Sequence, residues 1–326
     1  MKPKILVTRH VYPEAIDILQ AHVEVEYNDS PDGFAPDRLR VAVADKQAIV
    51  CQLTDHIDAD VMDAAASLRV IANVAVGFDN IDIAAATERG ILVTNTPGVL
   101  TDTTADFAFA LLMATARRIP EADRFLRSGR WHQWEIDLMS GHDVHGHTLG
   151  ILGLGRIGHG MARRARGFDM RVIYHDAVRA TPEEEKKLGL TFVTKDGLFR
   201  EADFVSVHVP LTGATKHYVG GAELALMKHN AILINTSRGP VVDEQALAQA
   251  LHAGVIAGAG LDVFEDEPRV DTALLSLENI VLVPHIASAS IKTRTRMCTM
   301  AADNAVALVT GGVPPNPVNP QVLTEK

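Results

Sequence analysis

Three side chains in the second half of the chain could do chemistry together: Arg238 in INTSRGP, Glu267 in AGAGLDVFEDEP and His285 in VLVPHIAS. Each follows an apolar run that reads as a β-strand, and ligands of open α/β sheets bind beyond the carboxyl ends of the strands. A guanidinium in that place can fork onto a carboxylate through two parallel N–H bonds. An imidazole can hand a proton to a carbonyl oxygen near neutral pH. A carboxylate beside the imidazole orients the ring and favours its charged form. One anchor, one acid and one tuner are what reduction of a 2-keto acid requires. Taken singly, each has a plainer reading: Arg238 as a strand-end ion pair, Glu267 as part of a solvated EDE run, His285 as a hydrogen-bonded loop residue.

The reductant is implied by residues 149–158, LGILGLGRIG. An apolar strand, Leu149–Leu152, runs into Gly153-x-Gly155-x-x-Gly158 and then a helix-compatible segment, Met161–Gly167. A second strand, Arg171–His175, ends at Asp176, eighteen positions after the last glycine. Gly153 suits a tight turn, Gly155 a close approach of backbone to a pyrophosphate, and Gly158 close helix–strand packing. The helix start adds N–H donors and partial positive charge for that anion. The Asp176 carboxylate suits the ribose diol of NAD and would repel a 2′-phosphate. Arg179, three positions on, offers that phosphate a partial partner. NAD(H) is therefore the expected cofactor, with NADP(H) accommodated as the alternative.

The elements that must position these residues alternate in two series. Ile5–Val7, Val23–Tyr27, Ala48–Cys51, Val70–Val74 and Ile91–Thr94 read as strands, with helix-like stretches between them such as Pro13–Ala21, Ala59–Ala66 and Ile83–Arg89. Thr101–Arg118 reads as a long helix that Pro120 ends, followed by a charged, irregular segment, 119–148. The second series has strands at Leu149–Leu152, Arg171–His175, Phe204–Val207, Ala231–Asn235, Ala257–Gly260 and Ile280–Val283, and a last helix at Ile291–Thr310. Alternation of this kind implies parallel sheets flanked by helices. The fingerprint lies mid-chain, so something else folds from the first hundred residues, and the last helix is expected to return to it. A cleft between two such lobes would suit a small ligand.

Composition narrows the class. With 326 residues and 47% hydrophobic content, two domains is the expectation. A net charge of −10 argues against a nucleic-acid or anionic-membrane partner, so an anionic substrate needs a local basic residue. Two cysteines, Cys51 and Cys298, suit a reducing compartment without a disulfide framework. The opening MKPKILVTRH lacks a signal-peptide core, and the longest apolar stretch, Phe107–Ala114, is too short for a membrane span. These readings point to the cytoplasm.

The chain resembles the D-isomer-specific 2-hydroxyacid dehydrogenase family, most closely its glyoxylate/hydroxypyruvate reductase branch. The resemblance runs over nearly the whole chain, through NVAVGFDNID (73–82), NTPGVLTDTTADFAFALLMATARR (95–118), GLGRIG, SVHVPLT (206–212), INTSRGPVVDE (234–244), GAGLDVFEDEP (258–268) and PHIASAS (284–290). It implies an α/β architecture of two doubly wound parallel-sheet domains. A central Rossmann NAD-binding domain, 101–286, would be inserted in a flavodoxin-like substrate-binding domain, 1–100 with 287–326. The family's catalytic Arg, Glu and His fall on Arg238, Glu267 and His285. Glutamate at 267 favours the hydroxyacid branch over the related formate dehydrogenases, which carry glutamine.

Further roles come from the same resemblance. Backbone N–H groups of Val76 and Gly77 would hold the substrate carboxylate with Arg238, and Leu53 would line that pocket. Arg156 and Ile157 would present backbone to the pyrophosphate, and Thr104 would approach the cofactor. His208, Pro210 and Thr215 would flank its adenosine side, Thr236 and Asp262 its nicotinamide side. Trp134 would reach into the partner subunit's active site, as a substrate-binding residue, from a dimer arm in 119–148, giving a homodimer through the cofactor domain; the plainer reading is that Trp131 and Trp134 pack one face of a helical turn. Ala287 departs from the family, which often has glycine there. The implied activity is NAD(P)H-dependent reduction of glyoxylate, hydroxypyruvate or a similar small 2-keto acid to the D-2-hydroxy acid, with the proton from His285. The alternatives are a reductase of a larger keto acid such as 2-ketogluconate, and a non-catalytic, corepressor-like NAD-binding scaffold, against which the short tail argues. No metal site is expected: His142, His145 and His147 lack the i, i+4 spacing of zinc enzymes and have no cysteine partner.

Overall fold

The computed structural model describes residues 2–324, and the chain forms two compact units, Met1–Leu100 with Ala289–Lys326, and Thr101–Ser288. In the first unit β1 (Lys4–Val7), β2 (Glu24–Tyr27), β3 (Ala48–Cys51), β4 (Val70–Asn73) and β5 (Leu92–Thr94) form a parallel sheet in the order β2-β1-β3-β4-β5. This is the flavodoxin-type order. AIVC in β3 and VIAN in β4 are buried on both faces, so they read as unbroken runs rather than alternating ones. The edge strand β2 carries EVEY instead, with both glutamates turned outward. The last long helix, Ile291–Val309, does return to this unit. Its Met297, Ala301, Ala305 and Leu308 pack with Ile5, Val7, Val50 and Val70 in one core.

The second unit holds β6 (Thr148–Leu152), β7 (Arg171–His175), β8 (Leu190–Phe192), β9 (Phe204–Val207), β10 (Ile232–Asn235), β11 (Gly258–Leu261) and β12 (Ile280–Leu282). All are parallel, in the order β12-β11-β10-β9-β6-β7-β8. Counted within the unit this is the Rossmann order 3-2-1-4-5-6 with one strand added. The order reverses between β6 and β9, where Leu152 pairs with Val207, and open α/β sheets bind ligands beyond the carboxyl ends of the strands at such a switch point. The helix Thr101–Ala116 buries Ala105, Ala108, Leu111 and Leu112 against the sheet. It can lie close because β11 is GAGL: a Cβ on Gly260 would stand 2.8 Å from Leu111 Cγ.

Two local expectations are corrected. The segment 119–148 is not irregular throughout, because Ile119–Arg127 is a helix. Pro120, read as a terminator, sits in its first turn, where the missing N–H costs nothing, and Arg118 at φ 53° makes the left-handed break before it. The dinucleotide helix starts at Arg156 rather than Met161, running Arg156–Arg166. Gly158 and Gly160 lower its intrinsic propensity, but both are buried with Met161, Ala162 and Ala165, so packing outweighs that cost. Among the described residues no helix is long and apolar enough to cross a membrane.

Candidate active site

Arg238, Glu267 and His285 all lie in the second unit, in the loops beyond β10, β11 and β12. Asn235, buried at the end of β10, shapes the first loop. Its Oδ1 accepts from the Ser237 N–H (3.0 Å) and Oγ (2.8 Å), and its Nδ2 donates to the Arg238 carbonyl at 3.0 Å. His285 Nδ1 meets Glu267 Oε2 at 2.8 Å, and Glu267 Oε1 accepts from the Phe264 N–H at 2.9 Å. Burial pushes the Glu267 carboxyl up. The His285 hydrogen bond and charge, the Phe264 N–H and the Arg238 guanidinium outweigh burial and hold it below the usual glutamate value. With Nδ1 on Glu267, the ring is oriented for proton transfer at Nε2.

His285 has a left-handed backbone, φ 50°, a conformation that costs a non-glycine residue about 1–3 kcal/mol. Asp262 holds it there. It is fully buried, its Oδ1 and Oδ2 accept from the Ile286 and Ala287 N–H groups at 2.7 and 2.8 Å, and its carbonyl accepts from the His285 N–H at 2.9 Å. Burial raises the Asp262 carboxyl above its ordinary value despite those two N–H groups and His285. Residue 262, expected beside a nicotinamide, thus also builds the turn that carries the histidine.

The three fingerprint glycines have different surroundings. Gly153 is at φ 97°, and a Cβ there would stand 2.8 Å from His208 C and Val209 N. The turn after β6 is thereby pressed against the one after β9, at the switch point. A Cβ on Gly158 would strike the Gly153 carbonyl at 2.4 Å, whereas one on Gly155 would meet nothing within 4 Å. The open space at Gly155, with the first N–H groups of the helix from Arg156 and Ile157 onward, fits a pyrophosphate. Asp176 Oδ2 accepts from the Leu154 N–H at 2.6 Å, so the acid is tied directly to this loop. Arg179 is forked onto Glu185 at 2.8 and 2.9 Å and lies over the Phe192 ring. That hydrogen-bonded pair, with the Tyr174 hydroxyl, holds Glu185 at about 2.

Loss of water pulls His208 down to about 4, and its Nε2 is 2.8 Å from Ser206 Oγ. Thr215 Oγ1 donates to the Pro210 carbonyl at 2.6 Å, closing its own loop. Thr104 is buried on the helix Thr101–Ala116. Thr236 Oγ1 is buried with no hydrogen-bond partner among the described residues, an orphaned hydroxyl that a polar ligand group would satisfy. Trp134 is 73% exposed. Among the described residues no group of three or more His, Cys, Asp or Glu is placed to hold a metal; His147 Nδ1 instead pairs with the His145 carbonyl at 3.0 Å.

In the first unit Val76 and Gly77 follow β4. Their carbonyls are held by Asn95 Nδ2 (2.7 Å) and Asn73 Nδ2 (3.0 Å), which fixes the peptide planes. Leu53 follows β3 and is half-exposed. Sequence reasoning missed Asn235, which reads as an ordinary strand-end residue. It also missed Gly239, which reads as half of a Gly-Pro turn. A Cβ on Gly239 would lie 1.9 Å from Phe264 C and 2.4 Å from Glu265 N, so the backbones of the Arg238 and Glu267 loops are in direct contact.

Residues 109–287 match the family model of the D-isomer specific 2-hydroxyacid dehydrogenase NAD binding domain. The chain is 54% identical over 329 residues to a glyoxylate reductase of Korarchaeum cryptofilum, covering 99% of this chain and 98% of the other. It is 50% identical over 328 residues to a glyoxylate reductase of Thermococcus litoralis, covering 99% of each. It is similar in structure to an NADPH-dependent glyoxylate/hydroxypyruvate reductase of Sinorhizobium meliloti solved with NADP and malonate. That likeness has a TM-score of 0.85 at 38% identity, covering 98% of this chain and 97% of the other.

Proposed function

The chain belongs to the D-isomer specific 2-hydroxyacid dehydrogenase family, and on that premise we propose that it reduces glyoxylate and hydroxypyruvate to the D-2-hydroxy acids with NADH. The observation that carries this reading is the 2.8 Å contact of His285 Nδ1 with Glu267 Oε2, with the charge of Arg238 acting on the same carboxylate. Arg238 binds the substrate carboxylate, supplying locally the positive charge that the chain as a whole, at −10, does not. His285 holds a proton at Nε2 and gives it to the carbonyl oxygen, while Glu267 stabilises the charged ring before transfer. Leu53, Val76 and Gly77 serve as substrate-binding residues of the unit Met1–Leu100 with Ala289–Lys326, the substrate-binding domain. Bound NAD(H) supplies the hydride.

Thr104, Gly153, Gly155, Arg156, Ile157, Gly158, Asp176, His208, Pro210, Thr215, Thr236 and Asp262 hold that cofactor in 101–286. NADH is preferred because Asp176 repels a 2′-phosphate and the guanidinium of Arg179 is already engaged by Glu185. We further infer a homodimer through the cofactor domain: the helix Ile119–Arg127 buries none of its residues, and Trp134 and Ile136 beyond it are 73% and 83% exposed. Sedimentation of a Trp134→Asp variant as monomer would support this, and an unchanged mass of either monomer or dimer would count against the arm. Both cysteines are free and buried, in keeping with a cytoplasmic location.

The deciding assay follows loss of NADH or NADPH absorbance with glyoxylate, hydroxypyruvate and 2-ketogluconate. Fast turnover of the two smaller acids with NADH is expected. Faster turnover of 2-ketogluconate would reassign the substrate, and NADH binding without turnover of any acid would refute the enzymatic reading.

A further inference from the structure

Glu244 reads in the sequence as an ordinary acid at a helix start, since it opens Glu244–His252 and Asp243 caps that helix through the Ala246 N–H. The structure buries it: only 7% of its surface is exposed. Its Oε1 accepts from the Glu265 N–H at 2.6 Å, and Glu265 Oε1 accepts in return from the Glu244 N–H at 3.0 Å. His217 Nε2 stands 3.1 Å from the same Glu265 oxygen, and His217 Nδ1 3.9 Å from Asp243 Oδ2. Phe264, one residue earlier, gives its N–H to Glu267. Two consecutive N–H groups of one loop are thus bound by two carboxylates, Glu267 and Glu244.

A carboxylate in this place is expensive. Burial raises the Glu244 carboxyl above its ordinary value, and Glu265, Asp271 and Glu267 push the same way against the Glu265 N–H. Packing alone gives no reason to place a charge there, because an apolar side chain would fill the space at lower cost. What the carboxylate does, and an apolar group could not, is fix the peptide two residues ahead of Glu267.

We propose that Glu244 is a positioning residue for the reductase reaction: by holding the Glu265 N–H it sets the Phe264–Glu267 backbone so that the Glu267 carboxylate meets His285 Nδ1. This rests on the reductase reading for its meaning but not for its geometry. Glu244→Ala removes the clamp, whereas Glu244→Gln keeps an oxygen that accepts the same N–H. Glu244→Asp withdraws the acceptor by one methylene, and it serves if the alanine variant does not fold.

The test pairs kinetics with NMR of the His285 ring, its Nδ1 proton on Glu267 assigned by its loss in His285→Ala. In Glu244→Ala that proton's signal should move upfield or broaden away, as its carboxylate partner moves off. In the same variant kcat should fall roughly 10- to 100-fold, the scale of an ångström-sized misplacement. Glu244→Asp should shift both in the same direction, and Glu244→Gln should restore both. An unmoved Nδ1 proton signal in folded Glu244→Ala or Glu244→Asp overturns the proposal, whatever happens to Tm or yield. If the signal moves as expected while the parent reduces no keto acid, the brace stands and the reductase reading falls. If the parent turns over but the signal stays put, the reductase reading stands and the brace falls.

Discussion

Replacing Gly239 by alanine should nearly abolish activity while leaving a folded protein. The new Cβ would lie 1.9 Å from Phe264 C, 2.0 Å from its carbonyl oxygen and 2.4 Å from Glu265 N. All three are backbone atoms and cannot swing aside as a side chain does. Ordinary contact begins near 3.4 Å, so the two loops must part by about 1.5 Å. One loop carries Arg238 and the other Glu267, and a 1 Å displacement at a reacting centre costs roughly 100-fold in rate. We therefore expect kcat/KM for glyoxylate to fall about 100-fold or more, equivalent to some 2.7 kcal/mol of transition-state stabilisation. The folding penalty of such overpacking is about 1–3 kcal/mol, within the 5–15 kcal/mol that domains typically hold. The assay is NADH oxidation, with thermal unfolding and NADH binding as controls for fold and cofactor domain. A folded Gly239→Ala protein whose kcat/KM stays within about threefold of the parent would refute the reasoning.

Three further outcomes follow from the same geometry. His285→Ala should lose about 10²- to 10⁴-fold in kcat, as expected for a general acid, while Arg238→Ala should chiefly raise the KM for keto acid and also lower kcat; steady-state kinetics that left either residue's parameters unchanged would remove it from the site. Asp176→Asn keeps an acceptor for the Leu154 N–H but loses the charge, so the ratio of kcat/KM for NADPH to that for NADH should rise about tenfold, and a constant ratio would break the link between Asp176 and cofactor choice. Because its folded-state pKa is depressed, Glu267 adds stability that is full above its ordinary value of 4.5 and is lost as pH falls below it. Denaturant melts across that acid window should show a shallower loss in His285→Ala, which lacks the partner that lowers Glu267 most. Equal slopes would contradict that pairing.

Much of this protein is determined by local sequence pattern. Two series of short apolar runs separated by helical stretches specify parallel sheets, because strands such as β3 and β4 are covered on both faces and are apolar at nearly every position. The fingerprint Gly153-x-Gly155-x-x-Gly158 with Asp176 is legible for a similar reason: its spacing is dictated by one turn, one helix start and one strand end. Arg238, Glu267 and His285 were visible as candidates because each stands just past a strand. Their mutual arrangement was not, since it depends on three loops far apart in the chain.

Only the tertiary structure decided that Gly239 is a point of backbone contact, that Asp262 holds His285 in a left-handed turn, and that Glu244 faces inward onto the Glu267 loop. It also decided that Arg179 is engaged by Glu185. The physical reason is that each residue's partner is not its immediate neighbour in sequence. Glycine, aspartate, glutamate and arginine have perfectly ordinary uses in turns, at helix starts and on surfaces. What departs from the ordinary is set by a neighbour more than twenty residues away for Gly239, Asp262 and Glu244, and by one six residues on, across the next helix start, for Arg179.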